Sequence, residues 1–218
     1  MTQSLIGIFK RLKKHFGPQH WWPANTPFEV VVGAILTQNT SWNNVEKAIQ
    51  NLKKEKLLSV RAMLNAKPKV LANAIRPTGY FNVKAKRLAH FVRYLNEGYS
   101  GSLEKFFKRE LSWLRAELLN IHGIGPETAD SIILYAAHKP IFVVDAYTRR
   151  IFSRLGLIPE KADYHRVQQT FMSRLPRRTG LFNEYHALLV EHAKRLCRKI
   201  PRCHECPLQP DCPYGRHY

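Results

Sequence analysis

The stretch from Leu118 to Asp130 constrains the fold of this chain more than any other. His122 is followed by Gly123, Ile124 and Gly125, and Pro126 comes immediately after. Glycine has no Cβ, so the backbone there can turn tightly and let a second surface come close. Proline suits the first turn of a helix, where its missing N–H would be unpaired anyway. The segment therefore reads as helix, tight turn, helix, the second helix opening on unpaired amides that suit an anion. An αα-corner that merely needs glycine is the other reading of the same residues.

Helical spacing dominates elsewhere. Thr26-Pro27-Phe28-Glu29 is a helix start, with Thr at the cap, Pro at the first position and Glu three residues after the cap. Between Asn82 and Asn96, the residues Val83, Leu88, Phe91, Val92 and Leu95 share roughly one face, and Lys84, Lys86, Arg87 and Arg93 fall among the remainder. Residues 43–55, 59–65, 68–75, 103–119, 126–138, 145–155, 163–174 and 183–197 behave alike, separated by Gly, Pro or Asn. Ile141 to Val144, after Pro140, allows a short strand, but no hairpin signal offers it a partner. The expected class is all-α, with about ten short helices and a Pro-rich cysteine tail.

Composition narrows the partners. Lys plus Arg is 35 against 16 Asp plus Glu, a formal charge of +19, so the surface seeks polyanions, nucleic acid before acidic membrane. The 44% hydrophobic content suffices for a core. The longest apolar or Gly run, Val30 to Leu36, is seven residues, whereas a membrane span needs about 20. Ser4 to Phe16 lacks a signal-peptide core and reads as an opening helix rather than a basic presequence. The expected location is cytoplasmic and nucleoid-associated.

All four cysteines, Cys197, Cys203, Cys206 and Cys212, lie within the last 22 residues. A disulfide framework would staple only a tail, so clustered thiols point to a metal. Spacing alone allows a tetrahedral zinc site or an iron–sulfur cluster.

Asp145 lies twenty residues after Gly125, within Val143-Val144-Asp145-Ala146-Tyr147-Thr148-Arg149-Arg150. With the Gly-rich hairpin, Ala34-Ile35-Leu36-Thr37-Gln38-Asn39-Thr40 and Arg76 to Ala85, the chain resembles the helix-hairpin-helix (HhH-GPD) DNA glycosylases of the endonuclease III branch over nearly its whole length. The resemblance implies two all-α domains with the DNA cleft between them. Residues 23–137 would form a helical barrel domain carrying the hairpin, and residues 1–22 plus 138–218 a second domain with the cluster loop. The family's [4Fe–4S] loop has six, two and five residues between ligands, and this chain has five, two and five. The resemblance favours iron–sulfur over zinc.

The resemblance also implies roles. Asp145 matches the catalytic Asp that favours an oxocarbenium-like sugar and steers water; as a plain residue it could be a helix N-cap. DNA contacts are expected from Gln38, which would fill the gap left by a flipped base, and from Lys84, His122, Gly123, Ile124, Gly125, Glu127 and Thr128. Bifunctional members attack the sugar with a hairpin Lys. Glu127 stands at that position and cannot form a Schiff base, so the expected enzyme is monofunctional and leaves an abasic site. Trp21, Trp22, Pro23, Trp42 and Glu127 resemble the base pocket of endonuclease-III-like 3-methyladenine glycosylases, where indoles attract a cationic base. Interhelical packing of the indoles is the alternative.

The expected partner is duplex DNA containing damaged bases, with no membrane and a monomeric chain. The expected reaction is hydrolytic excision of alkylated purines. A glycosylase for oxidised pyrimidines or T/U mismatches, or a non-catalytic DNA-binding hairpin protein, are the alternatives.

Overall fold

The computed structural model describes residues 4–217, all-helical with no strand among them. The ends of the expected cluster domain, residues 1–3 and 218, lie outside the described residues. The chain divides into two compact units, Ala24–Lys139 and the pair of segments Met1–Pro23 and Pro140–Tyr218. Twelve α-helices occur among the described residues, two more than the sequence suggests, because several are very short.

In the continuous unit, α2 (Pro27–Leu36) starts as its sequence dictates. Thr26 Oγ1 accepts from Glu29 N at 3.1 Å, and the Glu29 carboxylate accepts from Asn25 N and Lys53 Nζ. Every residue of α2 after Pro27 is buried, which is why the helix lacks a polar face. Against it pack α3 (Trp42–Lys54) and the long α6 (Phe81–Tyr99), which buries Ala85, Leu88, Phe91, Val92 and Leu95, while α4 (Val60–Asn65) and α5 (Pro68–Ala74) pack on α6.

The expected helix over 103–119 is two helices, α7 (Leu103–Phe107) and α8 (Leu111–Asn120). Phe106, Leu114 and Leu118 are all fully buried. On one straight helix Leu114 would sit about 80° round from Phe106, and Leu118 about 120°. All three lie within an arc of about 120°, so their burial does not call for the break, which falls at the exposed Lys108, Arg109 and Glu110. The expected helix over 126–138 is α9 (Pro126–Ser131) followed by a π-helical turn, Ile132–Ala136, buried throughout.

In the discontinuous unit, α1 (Leu5–Phe16) buries Leu5, Ile8 and Leu12 and packs against α12 (Thr179–Arg195). With α10 (Ala146–Arg154) and α11 (Tyr164–Arg174), these helices enclose an aromatic core. Phe142 stacks on Phe171 at 3.9 Å, with Phe152, Phe182 and Tyr185 around them. Ile141 to Val144 is not a strand but a buried extended connector. Side chains stand in for a ladder: Phe142 O accepts from Gln168 Nε2 at 2.7 Å, and Val144 N donates to Tyr164 Oη at 3.4 Å.

Candidate active site and nucleic-acid interface

Asp145 sits where the buried connector ends and α10 begins. It is the N-cap: Oδ1 accepts from Thr148 N at 2.7 Å and from Thr148 Oγ1 at 2.8 Å. Oδ2 faces His186 Nε2 at 3.6 Å, and the Asp145 side chain is 13% exposed. Burial pushes the carboxyl pKa up, but the His186 ring and the two Thr148 donors outweigh it and hold the group below its ordinary value. Cap and charged carboxylate are therefore compatible roles for one side chain. His186 carried no sequence signal; its position beside Asp145 depends on the packing of α12 against α10.

The hairpin lies in the other unit. Ile124 N closes the turn onto Ile121 O at 3.0 Å, and Gly123 adopts φ +92°. A Cβ on Gly123 would fall 2.3 Å from Arg87 Cγ, so both backbone and packing demand glycine. Gly125 differs. It caps α9 with an ordinary extended φ of −91°, and a Cβ there would meet nothing within 4 Å. Nothing inside the chain requires glycine at Gly125, which leaves room for something outside it.

Several expected contact residues are spent internally. Lys84 is 1% exposed, and its Nζ donates to Leu36 O at 3.0 Å and Thr78 O at 2.8 Å. It ties the end of α2 to the turn before α6 and is not a surface phosphate contact. Burial, with Arg87 nearby, lowers its pKa to about 8. Ile124 and Thr128 are also partly occupied inside the chain. Ile124 is buried with its amide used in the turn, and buried Thr128 accepts from Gln38 through Oγ1 at 2.9 Å. Gln38 Nε2 further donates to Gly123 O at 3.0 Å, and its Oε1 accepts from Arg87. His122 and Glu127 are exposed, His122 edge-on to His90.

Tyr80 and Arg87 were not singled out by sequence. Tyr80 is 75% exposed at φ +45°, and with Gln38, Asn39, Val83, Lys84 and Arg87 it lines a cavity of about 340 Å³. The turn residues Pro77, Thr78 and Gly79 just before Tyr80 were the available signal.

Of the expected base-pocket residues, Trp21, Trp22 and Pro23 belong to the discontinuous unit, and Trp42 and Glu127 to the continuous one. Trp21 and Trp22 are half-buried and tilted at 5.1 Å, and Lys194 Nζ lies 6.0 Å from the Trp21 ring. Half-buried Trp42 donates from Nε1 to Glu46 at 2.7 Å.

Cys197, Cys203, Cys206 and Cys212 are unpaired and line one cavity of about 20 Å³, with Leu155, His192 and Leu208 among its walls. Three donors aim at sulfur: Arg154 Nη1 at Cys197, Leu208 N at Cys206 and Gly215 N at Cys212, each at 3.4 Å. Burial raises the Cys206 thiol to about 11, a cost that bound metal would relieve. Among the described residues, no three His, Cys, Asp or Glu groups are gathered tightly enough for a single ion.

Residues 32–177 match the HhH-GPD superfamily of base excision DNA repair proteins. The chain is 52% identical to MJ1434 of Methanocaldococcus jannaschii, a candidate DNA repair glycosylase, over 96% of each chain. It is 28% identical to endonuclease III of Thermotoga maritima, covering 96% of this chain and 92% of that one. Among solved structures, the 3-methyladenine DNA glycosylase of H. pylori bound to 1,N6-ethenoadenine aligns with a TM-score of 0.76 at 31% identity, over 86% of this chain and 95% of that one. An endonuclease III–DNA complex shares the fold, with a TM-score of 0.84 at 23% identity, over 96% of this chain and 94% of that one.

Proposed function

The chain belongs to the HhH-GPD superfamily as a DNA glycosylase of the endonuclease III type, and on that premise we propose that it excises alkylated purines of the 3-methyladenine type by hydrolysis alone. The observation that carries the reading is Asp145, an ionised carboxylate with one oxygen fixed by Thr148 and the other turned to an imidazole. A carboxylate held in that way lowers the barrier to an oxocarbenium-like sugar and orients the attacking water. A purine alkylated at N3 or N7 already carries positive charge, so its departure needs little acid assistance. Indole faces attract such a base. Trp21 already has a cation beside it, Lys194 Nζ at 6.0 Å from the ring.

Glu127 stands where a lyase would carry its amine, so strand scission is not part of the reaction. DNA is held by the hairpin around Gly125, whose open surroundings admit a phosphate close to the backbone. The four cysteines suit a [4Fe–4S] cluster, since all four line one pocket and N–H donors aim at Cys206 and Cys212. Bound there, the cluster supplies structural cross-linking of the tail.

Incubation with methylated duplex DNA tests the reading. Free 3-methyladenine, with nicks appearing only after alkali, is the expected result. Release from thymine glycol or T·G duplexes alone would overturn the substrate class and return the indoles to packing roles. Nicking without alkali, trapped by borohydride, would overturn the hydrolytic mechanism.

A further inference from the structure

Tyr185, Leu189 and His192 follow one another at helical spacing along α12, and all three are buried. A leucine would fill the third position with no polar atom to satisfy. His192 is 1% exposed, and its Nδ1 is buried with no hydrogen-bond partner among the described residues. Burying a polar ring in that way costs stability. Packing alone gives no reason for a histidine here.

Its other contacts point to the cysteine tail. His192 O accepts from Leu196 N and from Cys197 N, both at 2.9 Å, so its backbone closes the end of α12 onto the first cysteine. Its Nε2 lies 3.8 Å from Cys206 Sγ, within hydrogen-bond reach of a sulfur. One residue thus meets two of the four cysteines, the first through its backbone and the third through its side chain.

The tautomer follows from the same geometry. An imidazolium has two N–H groups to satisfy, and a buried N–H without an acceptor is the costlier orphan. With nothing at Nδ1, the ring carries a single proton, and carries it on Nε2, where the sulfur accepts. A ligand sulfur that accepts a hydrogen bond holds negative charge more easily, and such bonds are one of the levers on an iron–sulfur potential. We propose that His192 is a positioning residue of the cysteine centre, its Nε2–H donating to the Cys206 sulfur so that this ligand is held and the reduction potential of the bound cluster is raised. The inference rests on the iron–sulfur reading above. Leu208 N, 3.4 Å from the same sulfur, is a second donor that a change at His192 leaves in place, so the effect is a shift rather than a loss of the centre.

Three proteins purified with their metal are compared: the wild type, His192→Phe and His192→Gln. Phenylalanine keeps a flat ring and removes the donor, whereas glutamine gives up the ring and keeps an N–H at a similar reach. Circular dichroism checks folding first, and His192→Leu replaces the Phe variant if that one does not fold. The midpoint potential is read by film voltammetry. Cluster lifetime is read from visible absorbance after ferricyanide and an iron chelator are added. The Phe variant is expected to lose its cluster about fivefold faster, the worth of one hydrogen bond. Its potential should be more negative, by about the same fivefold in the ratio of reduced to oxidised cluster. The Gln variant should stay within about twofold of the wild type in both. A Phe variant that matches the wild type overturns the proposal. So does a Gln variant as impaired as the Phe variant, because ring packing and not the donor would then be what the centre needs. A wild-type protein that purifies without iron sinks the cluster reading and this inference with it, whereas iron-loaded protein indifferent to His192 sinks the inference alone.

Discussion

Asp130 and Asp145 are buried aspartates, one in each unit, and they are engaged in opposite ways. Arg115 grips both oxygens of Asp130, at 2.7 and 3.2 Å. Thr148 takes one oxygen of Asp145 twice, and the other faces only an imidazole at 3.6 Å. Burial and charge are common to both, so neither marks a carboxylate as reactive. What separates them is an oxygen not yet committed to a strong donor. A guanidinium makes structure out of an aspartate; a threonine beside a histidine leaves it able to act.

The largest expected effect tests that contrast directly. Asp145→Asn should lower base release by about 10²- to 10⁴-fold with duplex affinity within a few-fold of the wild type. Asp130→Asn should instead remove the charge opposite a mostly buried arginine, costing about 3–5 kcal/mol of stability by denaturant titration. Activity per folded molecule should survive that change, and equal rate losses in the two variants would break the comparison.

The same logic extends to cations. Lys84, like Arg115, is spent inside, whereas its neighbour Lys86 is exposed. Lys84→Met should destabilise the fold by about 1–3 kcal/mol through its unpaired carbonyls and leave the salt slope of DNA binding unchanged. The unfolded chain keeps the Lys84 proton up to about pH 10.5 and the folded chain only to about 8. Wild-type stability at this site therefore rises with pH across that window, and the Met variant should lose the rise.

A smaller effect concerns Thr148. Thr148→Val removes one donor from Asp145, so its carboxyl should titrate closer to the ordinary value and the acid limb of base release should move upward in pH. In stability the sign is fixed by a folded-state pKa below 3.8: the contribution is present above about pH 4 and fades as pH falls through the folded value. Thermal melts between pH 3 and 5 should show a weaker acid dependence in Asp145→Asn than in the wild type.

Local chemistry was legible in the sequence wherever neighbours decide it. Thr26, Pro27 and Glu29 start α2 as their order dictates, and Gly123 and Gly125 set a turn between helices. What depends on distant packing was not. The break after Phe107 falls at the exposed Lys108, Arg109 and Glu110, with no Gly or Pro to announce it. Lys84 lies among charged residues on a helix and looks solvated, yet two carbonyls from other segments draw its ammonium inward. The tether of Gln38 to Gly123 and Thr128 joins residues 85 and 90 positions apart. His186, 41 positions from Asp145 (186 − 145), is likewise invisible in a list of scattered histidines.

The discontinuous unit has a consequence in time. Tyr185 Oη donates to Leu5 O at 2.8 Å, closing a separation of 180 residues with one buried bond. Ala24–Lys139 is contiguous, so on the ribosome it has every residue it needs before the rest of the chain appears. At about 5–20 residues per second, α1 waits roughly 10–40 s for α12. Throughout that interval Leu5, Ile8 and Leu12 have no α12 to cover them, and a helix made ahead of the continuous unit is housed after it.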